Sequence, residues 1–140
     1  MGIDLRQRIH LTYAAFAAGN IGVVENSFDE DVDFATNAPV DIFPYLARRR
    51  GRPAVVTSLI TLREEFEVLK YEPVSITADT DAAAVIVLSR MKHRDRGQVL
   101  STLLAHFLHF RNGRICDYRA FVDSLDVAGQ WFGRSIELPR

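Results

Sequence analysis

Two histidines that stand three residues apart, His106 and His109, are the first candidates for chemistry in this sequence. Imidazole is a common metal ligand, so a pair of this kind suggests a metal site. The surrounding apolar residues indicate a β-strand, and on a strand residues three apart point to opposite faces. One ion cannot bind both side chains. The sequence therefore predicts no metal site and leaves open which histidine faces the interior.

The short motifs that mark phosphoryl, hydride or acyl-transfer chemistry are missing from the chain. It has no Walker loop, GxGxxG, GxSxG, HExxH or CxxC. Four arginines, Arg48, Arg49, Arg50 and Arg52, lie close together without interleaved aromatic residues, which favours a solvated loop over a phosphate or RNA contact. We therefore expect no cofactor and no nucleic-acid partner.

The composition is that of one globular domain over residues 1–140. Hydrophobic residues make up 48% of the chain, charged residues 25%, and the net charge is −1, so no strong field attracts nucleic acid or an anionic membrane. No apolar run is long enough to cross a membrane, and the first residues lack a secretory signal. Cys116 is the single cysteine, which excludes an intrachain disulfide. We expect a cytoplasmic protein with no membrane partner.

Periodic apolar residues predict three helices in the first half of the chain. The first covers residues 4–18 and ends at Gly19, which can adopt the left-handed conformation. Asn20 caps a short second helix, and the acidic residues 29–31 end it in water. A third helix has Pro53 in its first turn. The apolar stripe of the first helix is Leu5, Ile9, Tyr13 and Phe16.

Five segments of the chain have strand patterns, and four of them lie after residue 68. The predicted strands are 32–36, 69–78, 83–92, 99–110 and 114–122. Asn112-Gly113 is a strong hairpin signal, and the short turns between the last four strands require antiparallel pairing. Residues 124–132 are predicted to form a final helical turn. The order of elements predicts an α+β fold, in which three N-terminal helices cover one face of a curved antiparallel sheet.

Three segments, together with this order of elements, resemble the SnoaL-like group of the nuclear transport factor two-like superfamily. The segments are Ala17–Phe34, Gly51–Val55 and His109–Asp123. The resemblance implies a cone whose open end holds a small apolar molecule, and a homodimer formed through the outer face of the sheet. It does not imply one activity, because the superfamily includes isomerases, polyketide cyclases, epoxide hydrolases, dehydratases and proteins without chemistry.

Limonene epoxide hydrolases offer one comparison within the superfamily. Their polar residues match Asn37, Arg90 and Asp123 of this sequence. Lys92 stands where those enzymes have a second carboxylate, and Ala35 stands where they have a tyrosine. These departures argue against epoxide opening.

Ketosteroid isomerases and SnoaL-like cyclases offer two more comparisons. In the first, Thr36 occupies the position of the base, His106 that of an oxyanion-binding Asp, and Tyr13 is displaced by one residue, which argues against steroid isomerisation. In the second, Asp123 matches the proton-transferring group, with His109 or His106 on the preceding strand. The cyclase resemblance is contradicted least.

The resemblance therefore implies acid–base chemistry without a cofactor. Asp123 would move a proton next to a carbonyl, His106 would stabilise the oxyanion, and Arg90 would orient Asp123 or the ligand. The expected ligand-binding residues are Tyr13, Phe16, Asn37 and Tyr118. The alternatives are a non-catalytic protein that binds a small molecule and a dimeric interaction module with a filled core.

Structural roles compete with the catalytic ones. Asp123 precedes Ser-Leu-Asp and could cap the final helical turn, Arg90 could form a salt bridge to Asp123 or Asp33, and His106 could be a core histidine. Strand alternation adds a conflict. If Tyr118 faces inward, Asp123 faces outward unless a bulge shifts the register, whereas the hydrolase resemblance implies that Asp123 faces inward.

Overall fold

Four helices and a six-stranded sheet make up the computed structural model, which describes residues 4–134. The helices are α1 (Leu5–Ala18), α2 (Ile21–Asn26), α3 (Arg52–Glu65) and α4 (Ser124–Phe132), with a 3-10 turn at Pro44–Leu46. The strands are β1 (Phe28–Thr36), β2 (Arg49–Arg50), β3 (Phe66–Ala78), β4 (Ala82–His93), β5 (Val99–Arg111) and β6 (Arg114–Val122). The predicted α+β class is confirmed.

The sheet has the strand order β2-β1-β6-β5-β4-β3 and is curved without closing into a barrel. Strands β3 to β6 are antiparallel neighbours, as predicted, and β1 pairs in parallel with β6. Irregular register between Val68 and Lys70, and between Pro73 and Ser75, marks two bulges in β3. Bulges of this kind bend a strand and increase the local twist, which helps β3 to wrap around the helices.

Caps fix the helices where the sequence predicts them. The Asp4 side chain accepts a hydrogen bond from Gln7 N at 2.8 Å at the start of α1, and Asn20 accepts one from Val23 N at 3.3 Å at the start of α2. Gly19 ends α1 with φ at 80°, a conformation that favours glycine. Pro53 lies in the first turn of α3, as the sequence predicts.

The start of β1 differs from the sequence prediction. Residues 29–31 do not end α2 but belong to β1, which begins at Phe28. The cause is a distant partner, because Phe28 pairs with Ile115 of β6 and Ile115 N donates to Ser27 O at 2.8 Å. Local periodicity carries no information about a partner strand so far along the chain.

The core lies between the helices and the concave face of the sheet. Its fully buried side chains include Ile9, Val32, Val55, Phe66 and Leu108. The final helix, α4, is held at the wide end of this core by Gln130, whose amide accepts from Ser101 N at 2.7 Å and donates to Ser101 O at 2.9 Å. Val127 is thereby buried against the concave face.

Membrane insertion through a helix finds no support in the part of the chain described. Within residues 4–134, no helix combines the length and apolar character that a bilayer span requires.

Candidate ligand-binding cavity

A cavity of about 100 Å³ lies inside the cone, between the concave face of the sheet, α3, α4 and the loop after β1. Most of its lining is aliphatic and aromatic, and its polar residues are Thr36, Tyr71, Ser89, Thr102, His106 and Tyr118. No Asp, Glu, Lys or Arg is among the lining residues in the described part of the chain. An apolar protein cavity of roughly 150 Å³ holds benzene, so this smaller cavity encloses a molecule smaller than benzene, or one end of a larger molecule that extends through the open mouth.

A buried imidazole forms the polar end of the cavity. His106, on β5, is 1% exposed. The hydroxyl of Tyr13, from α1, lies 2.5 Å from its Nδ1, and the hydroxyl of Tyr118, from β6, lies 3.0 Å from its Nε2. Tyr71, from β3, lies beside them, with its ring stacked on that of Tyr13 and its ring centroid 6.5 Å from that of His106. We call these four residues the Tyr-His cluster.

The Tyr-His cluster is uncharged at neutral pH. Burial lowers the pKa of His106 to about 3, because the apolar surroundings disfavour the imidazolium ion. Burial, followed by interaction with neighbouring phenols, raises the pKa of Tyr13 and Tyr118 well above the ordinary value. Burial also raises the pKa of Tyr71. The cluster therefore presents neutral hydrogen-bonding groups to the cavity rather than a charge.

Ring contacts hold the cluster in place. The Tyr13 ring stacks on the Tyr71 ring with centroids 5.6 Å apart, and the Tyr118 ring stacks on Phe34 at 4.7 Å. Phe16 packs against Tyr71 at 4.8 Å. Because each phenol ring is fixed by an aromatic neighbour, the hydroxyl groups have defined positions before any ligand binds.

Phe16 and Tyr13 lie behind the polar end rather than on the main cavity. Both line a smaller void of about 30 Å³, which shares Tyr71 and Tyr118 with the main cavity. Tyr118 lines both spaces. Of the ligand-binding residues expected from the resemblance, only Tyr118 lines the main cavity.

Asp123 lies outside the cavity, so the expectation that it faces inward is wrong. Its side chain caps α4, where Oδ1 accepts from Asp126 N at 3.0 Å, and the residue is exposed. Pairing of β6 with β5 is regular from Asp117 to Val122, and Tyr118, Ala120 and Val122 line the cavity. Without a bulge, the next residue turns to the other side.

Arg90 also lies outside the cavity, contrary to expectation. It is exposed on the outer face of β4, with Lys70 and Ser101 as cross-strand neighbours. Its neighbours in sequence, Ser89 and Met91, line the cavity instead. Salt bridges to Asp33 come from Arg48 at 2.8 Å and Arg119 at 3.1 Å rather than from Arg90. The structure thus does not bring Arg90 and Asp123 together with His106.

Asn37 lies at the rim and joins the ends of two strands. Its side-chain amide donates to Val122 O at 3.1 Å, and its side-chain oxygen accepts from Val122 N at 2.8 Å. Its neighbours Thr36 and Ala38 line the cavity, whereas Asn37 is exposed. Asn37 therefore shapes the mouth of the cavity through the backbone.

His109 lies on the surface of the protein. It is exposed, 3.8 Å from Asp117, so His106 is the histidine that faces the interior.

Tyr71 is the residue of the Tyr-His cluster that the sequence analysis missed. Strict alternation from Val68 would place Lys70 inside, but the bulge between them turns Tyr71 inward opposite Ser89. The sequence signal that could have identified Tyr71 is an aromatic residue directly after Lys70 in a predicted strand.

The curved sheet and its covering helices are the architecture of the nuclear transport factor two-like superfamily. A comparison with protein families shows which group of that superfamily the chain belongs to. A model of the SnoaL-like domain matches residues 9–118. The chain belongs to the SnoaL-like family. A search of curated protein sequences finds no match.

Solved structures of similar fold include proteins of several kinds. A candidate isomerase from Rhodopseudomonas palustris is similar with a TM-score of 0.85 and 24% identity, over 96% of this chain and 100% of the other. The candidate polyketide cyclase IdmH from Streptomyces antibioticus has a TM-score of 0.77 and 14% identity, over 93% and 99%. An epoxide hydrolase of the limonene type from Mycobacterium tuberculosis has a TM-score of 0.74 and 14% identity, over 90% and 87%. At these identities the similarity establishes the fold alone.

Within residues 4–134, no group of three or more His, Cys, Asp or Glu side chains is arranged to hold a metal ion.

Proposed function

We propose that this protein binds a small, uncharged and mainly apolar molecule, with the Tyr-His cluster hydrogen-bonded to one polar atom of the ligand. The observation that carries the proposal is a cavity whose described lining is mainly apolar and uncharged, with the buried imidazole of His106 and its neighbouring phenols at one end. Pockets for small molecules commonly combine an apolar wall with a few convergent polar groups. The polar end fixes the orientation of the ligand.

The absence of charged side chains from the described cavity lining disfavours ionic ligands. A carboxylate or ammonium group that enters this cavity loses its hydration and finds no opposite charge among the lining residues described. Such a transfer is costly unless the charge is paired. A neutral ketone, aldehyde or similar molecule avoids that cost, and a small one matches the volume of about 100 Å³.

Binding without catalysis fits this geometry better than proton transfer does. Asp123, the expected base, caps α4 outside the cavity. His106 is the ionisable group at the polar end, but its nitrogens contact Tyr13 and Tyr118, and its low pKa makes it a weak base. A general base needs to reach the proton that it removes, and neither residue is placed to do so.

The binding proposal can be tested with small neutral probes. Ligand-observed NMR would compare cyclohexanone with cyclohexanecarboxylate, which carries a charge in place of the carbonyl. We expect saturable binding of the ketone and none of the carboxylate. Ala120→Leu fills the lined space and should abolish ketone binding, whereas Thr57→Leu, at an exposed position of α3, should leave it unchanged. Equal binding by Ala120→Leu would contradict the proposed location.

We also propose that a second copy of the chain covers the outer face of the sheet. Ile86, Leu103, Phe107 and Phe121 form an exposed apolar patch there, and the Phe107 and Phe121 rings are 5.8 Å apart. Beside the patch, Arg119 and Asp117 supply charges of both signs. A two-fold interface brings the same surface of each copy together, so opposite charges can pair across it.

The dimer proposal is tested by light scattering during size-exclusion chromatography. Phe107→Glu should give a monomer because it places charges in the centre of the patch. Leu11→Glu, at an exposed apolar position of α1, should remain dimeric. A monomeric wild-type protein at about 100 μM, where weak dimers still associate, would overturn the proposal.

The cytoplasm is the location that fits best with a chain whose lone cysteine leaves no intrachain disulfide to form. Cys116 is half-buried, with Sγ 3.5 Å from His109 O. Cell fractionation would test this location.

A further inference from the structure

A buried serine on the cavity wall has a hydroxyl group without a partner in the protein. Ser89, on β4, is 4% exposed and lines the main cavity. Within residues 4–134, the structure gives its hydroxyl no hydrogen-bond partner, and the hydroxyl is not enclosed by protein atoms either. It is therefore open to the cavity. A buried hydroxyl without a partner is unfavourable, so this is a place where a polar atom of a ligand is expected.

Ser89 lies in a row of hydroxyl-bearing residues that crosses the concave face of the sheet. Its direct cross-strand neighbours are Tyr71 on β3 and Thr102 on β5, and all three residues line the cavity. Tyr71 already belongs to the Tyr-His cluster. Directly opposite residues of antiparallel strands have Cβ atoms about 4.5–5.5 Å apart, so one ligand atom can reach both Ser89 and Thr102. We call Ser89 and Thr102 the hydroxyl pair.

The two members of the hydroxyl pair have complementary hydrogen-bonding capacity. Thr102 Oγ1 donates to Leu103 O at 3.3 Å, which uses its hydrogen and leaves its oxygen free to accept. The hydrogen of the Ser89 hydroxyl is free to donate. A group that accepts from Ser89 and donates to Thr102 satisfies both residues. A hydroxyl group does this, whereas a carbonyl or ether oxygen accepts only and leaves Thr102 without a donor.

The hydroxyl pair and the Tyr-His cluster contact different parts of the cavity. Thr102 is four residues before His106 on β5, and Ser89 is four residues after Val85, the cross-strand neighbour of His106. Four residues of a strand cover about 13 Å. Thr102 follows Ser101, which holds α4 at the wide end. A ligand that extends from the Tyr-His cluster towards the mouth therefore passes the hydroxyl pair.

We propose that the hydroxyl pair binds a hydroxyl group of the ligand, so that the ligand class is an uncharged apolar molecule with two oxygen functions. One oxygen lies at the Tyr-His cluster, and the other donates to Thr102 and accepts from Ser89. This inference rests on the proposed function and deepens it. Ser89 and Thr102 are specificity-determining residues, because they add affinity only for ligands that carry the second oxygen.

Matched pairs of linear ketones test the ligand class. Octan-2-one and 7-hydroxyheptan-2-one have the same number of heavy atoms and differ by a methyl group in place of the terminal hydroxyl. Decan-2-one and 9-hydroxynonan-2-one form a second, longer pair. Ligand-observed NMR gives the ratio of the two affinities within each pair. We expect the ratio to favour the hydroxy ketone more strongly at the length that places its hydroxyl beside the hydroxyl pair.

Two variants locate the second oxygen. Ser89→Ala should lower the ratio of hydroxy ketone to alkyl ketone affinity about tenfold at the favoured length, as loss of one hydrogen bond gives. Thr102→Val, which keeps the shape of the side chain, should lower it in the same direction. Ser58→Ala is the matched control, because Ser58 is also buried, at 3% exposed, but is not among the cavity-lining residues described. Its ratio should equal that of wild type.

Unfolding of the ligand-free protein separates a binding role of Ser89 from a structural one. Because its hydroxyl has no partner in the described protein, Ser89→Ala should keep or raise the midpoint of urea unfolding. A lowered midpoint would show that the hydroxyl stabilises the fold and would overturn the inference. An unchanged affinity ratio in Ser89→Ala and Thr102→Val also overturns it and leaves the binding proposal standing. Absence of binding by both classes of ketone contradicts the binding proposal itself.

Discussion

The hydroxyl of Tyr13 and Nδ1 of His106 lie 2.5 Å apart although the two residues are separated by 93 positions. This contact joins the first helix to the centre of the sheet at the end of the cavity. Both side chains are buried, so the hydrogen bond contributes to folding as well as to the shape of the site. Stability measurements can therefore report on it.

His106→Phe should destabilise the protein by about 2 kcal/mol, because it leaves the Tyr13 and Tyr118 hydroxyls without their partner. Urea unfolding followed by circular dichroism would measure the loss. The double variant with Tyr13→Phe should lose less than the two single losses added together. His109→Phe, at an exposed position of the same strand, should stay within about 0.5 kcal/mol of wild type, and an equal loss there would contradict this assignment.

The free energy of unfolding should fall as the pH is lowered from about 6.5 towards about 4.5. The pKa of His106 is about 3 in the folded protein and its ordinary value is 6.5. The unfolded chain therefore binds more protons in this range and gains stability as the pH falls. The groups that face His106 from α1, β3 and β6 are the phenols Tyr13, Tyr71 and Tyr118, which stay neutral there.

The variant His106→Phe provides the control for this pH dependence. Wild type should lose about 2.5 kcal/mol more than the variant between about pH 7 and about pH 4.5. At lower pH a second group contributes, since hydrogen bonds from Arg48 and Arg119 hold the pKa of Asp33 well below its usual range. Parallel curves for the two proteins above about pH 4.5 would show that His106 is not buried in neutral form.

Asp123→Ala should cost about 1 kcal/mol of stability through loss of the cap on α4, whereas Asp123→Asn keeps a capping oxygen and should cost little. Neither change should alter the affinity for cyclohexanone, because the side chain lies outside the cavity. Thermal unfolding and NMR titration measure the two effects separately. A large loss of affinity in Asp123→Asn at unchanged stability would restore a role for this carboxylate in the site.

Gly19→Ala should destabilise the protein more than Gly97→Ala does. Both glycines have positive φ, at 80° and 78°, so both changes introduce similar backbone strain. A methyl group at Gly19 would lie 2.9 Å from Arg63 Nη2, whereas one at Gly97 meets nothing within 4 Å. Movement of Arg63 would weaken its hydrogen bonds to Phe16 O and Ala17 O. Chemical denaturation of the two variants measures the difference, which we expect to be about 1 kcal/mol, and equal losses would contradict it.

Much of the fold was predictable because its signals are local. The end of α1 at Gly19 and the hairpin at Asn112-Gly113 depend on residues that accept positive φ, and both glycines and Asn112 have it. The beginning of β1 was not predictable, because it depends on pairing with Ile115. The two residues are far apart in the sequence, and no local pattern indicates that they pair.

The site was only partly predictable for the same reason. Helical periodicity placed Tyr13 on the apolar face of α1, and the resemblance to the superfamily placed Tyr118 inward on β6; both side chains are buried in the structure. Tyr71 was missed because a bulge interrupts the alternation of β3. Asp123 was assigned to the interior from its match to a hydrolase residue, although the alternation of β6 indicated the opposite side. Here the geometry of the strand was the better guide.

Because β6 is regular up to its last residue, Val122 and Asp123 have different structural roles. Val122 presents its side chain to the cavity, and Asp123 caps the following helix. Replacing Val122 with Asp would add a carboxylate to the cavity wall while the helix cap stays intact. A shift of one position along β6 thus separates a residue of the cavity wall from a residue that only stabilises a helix end.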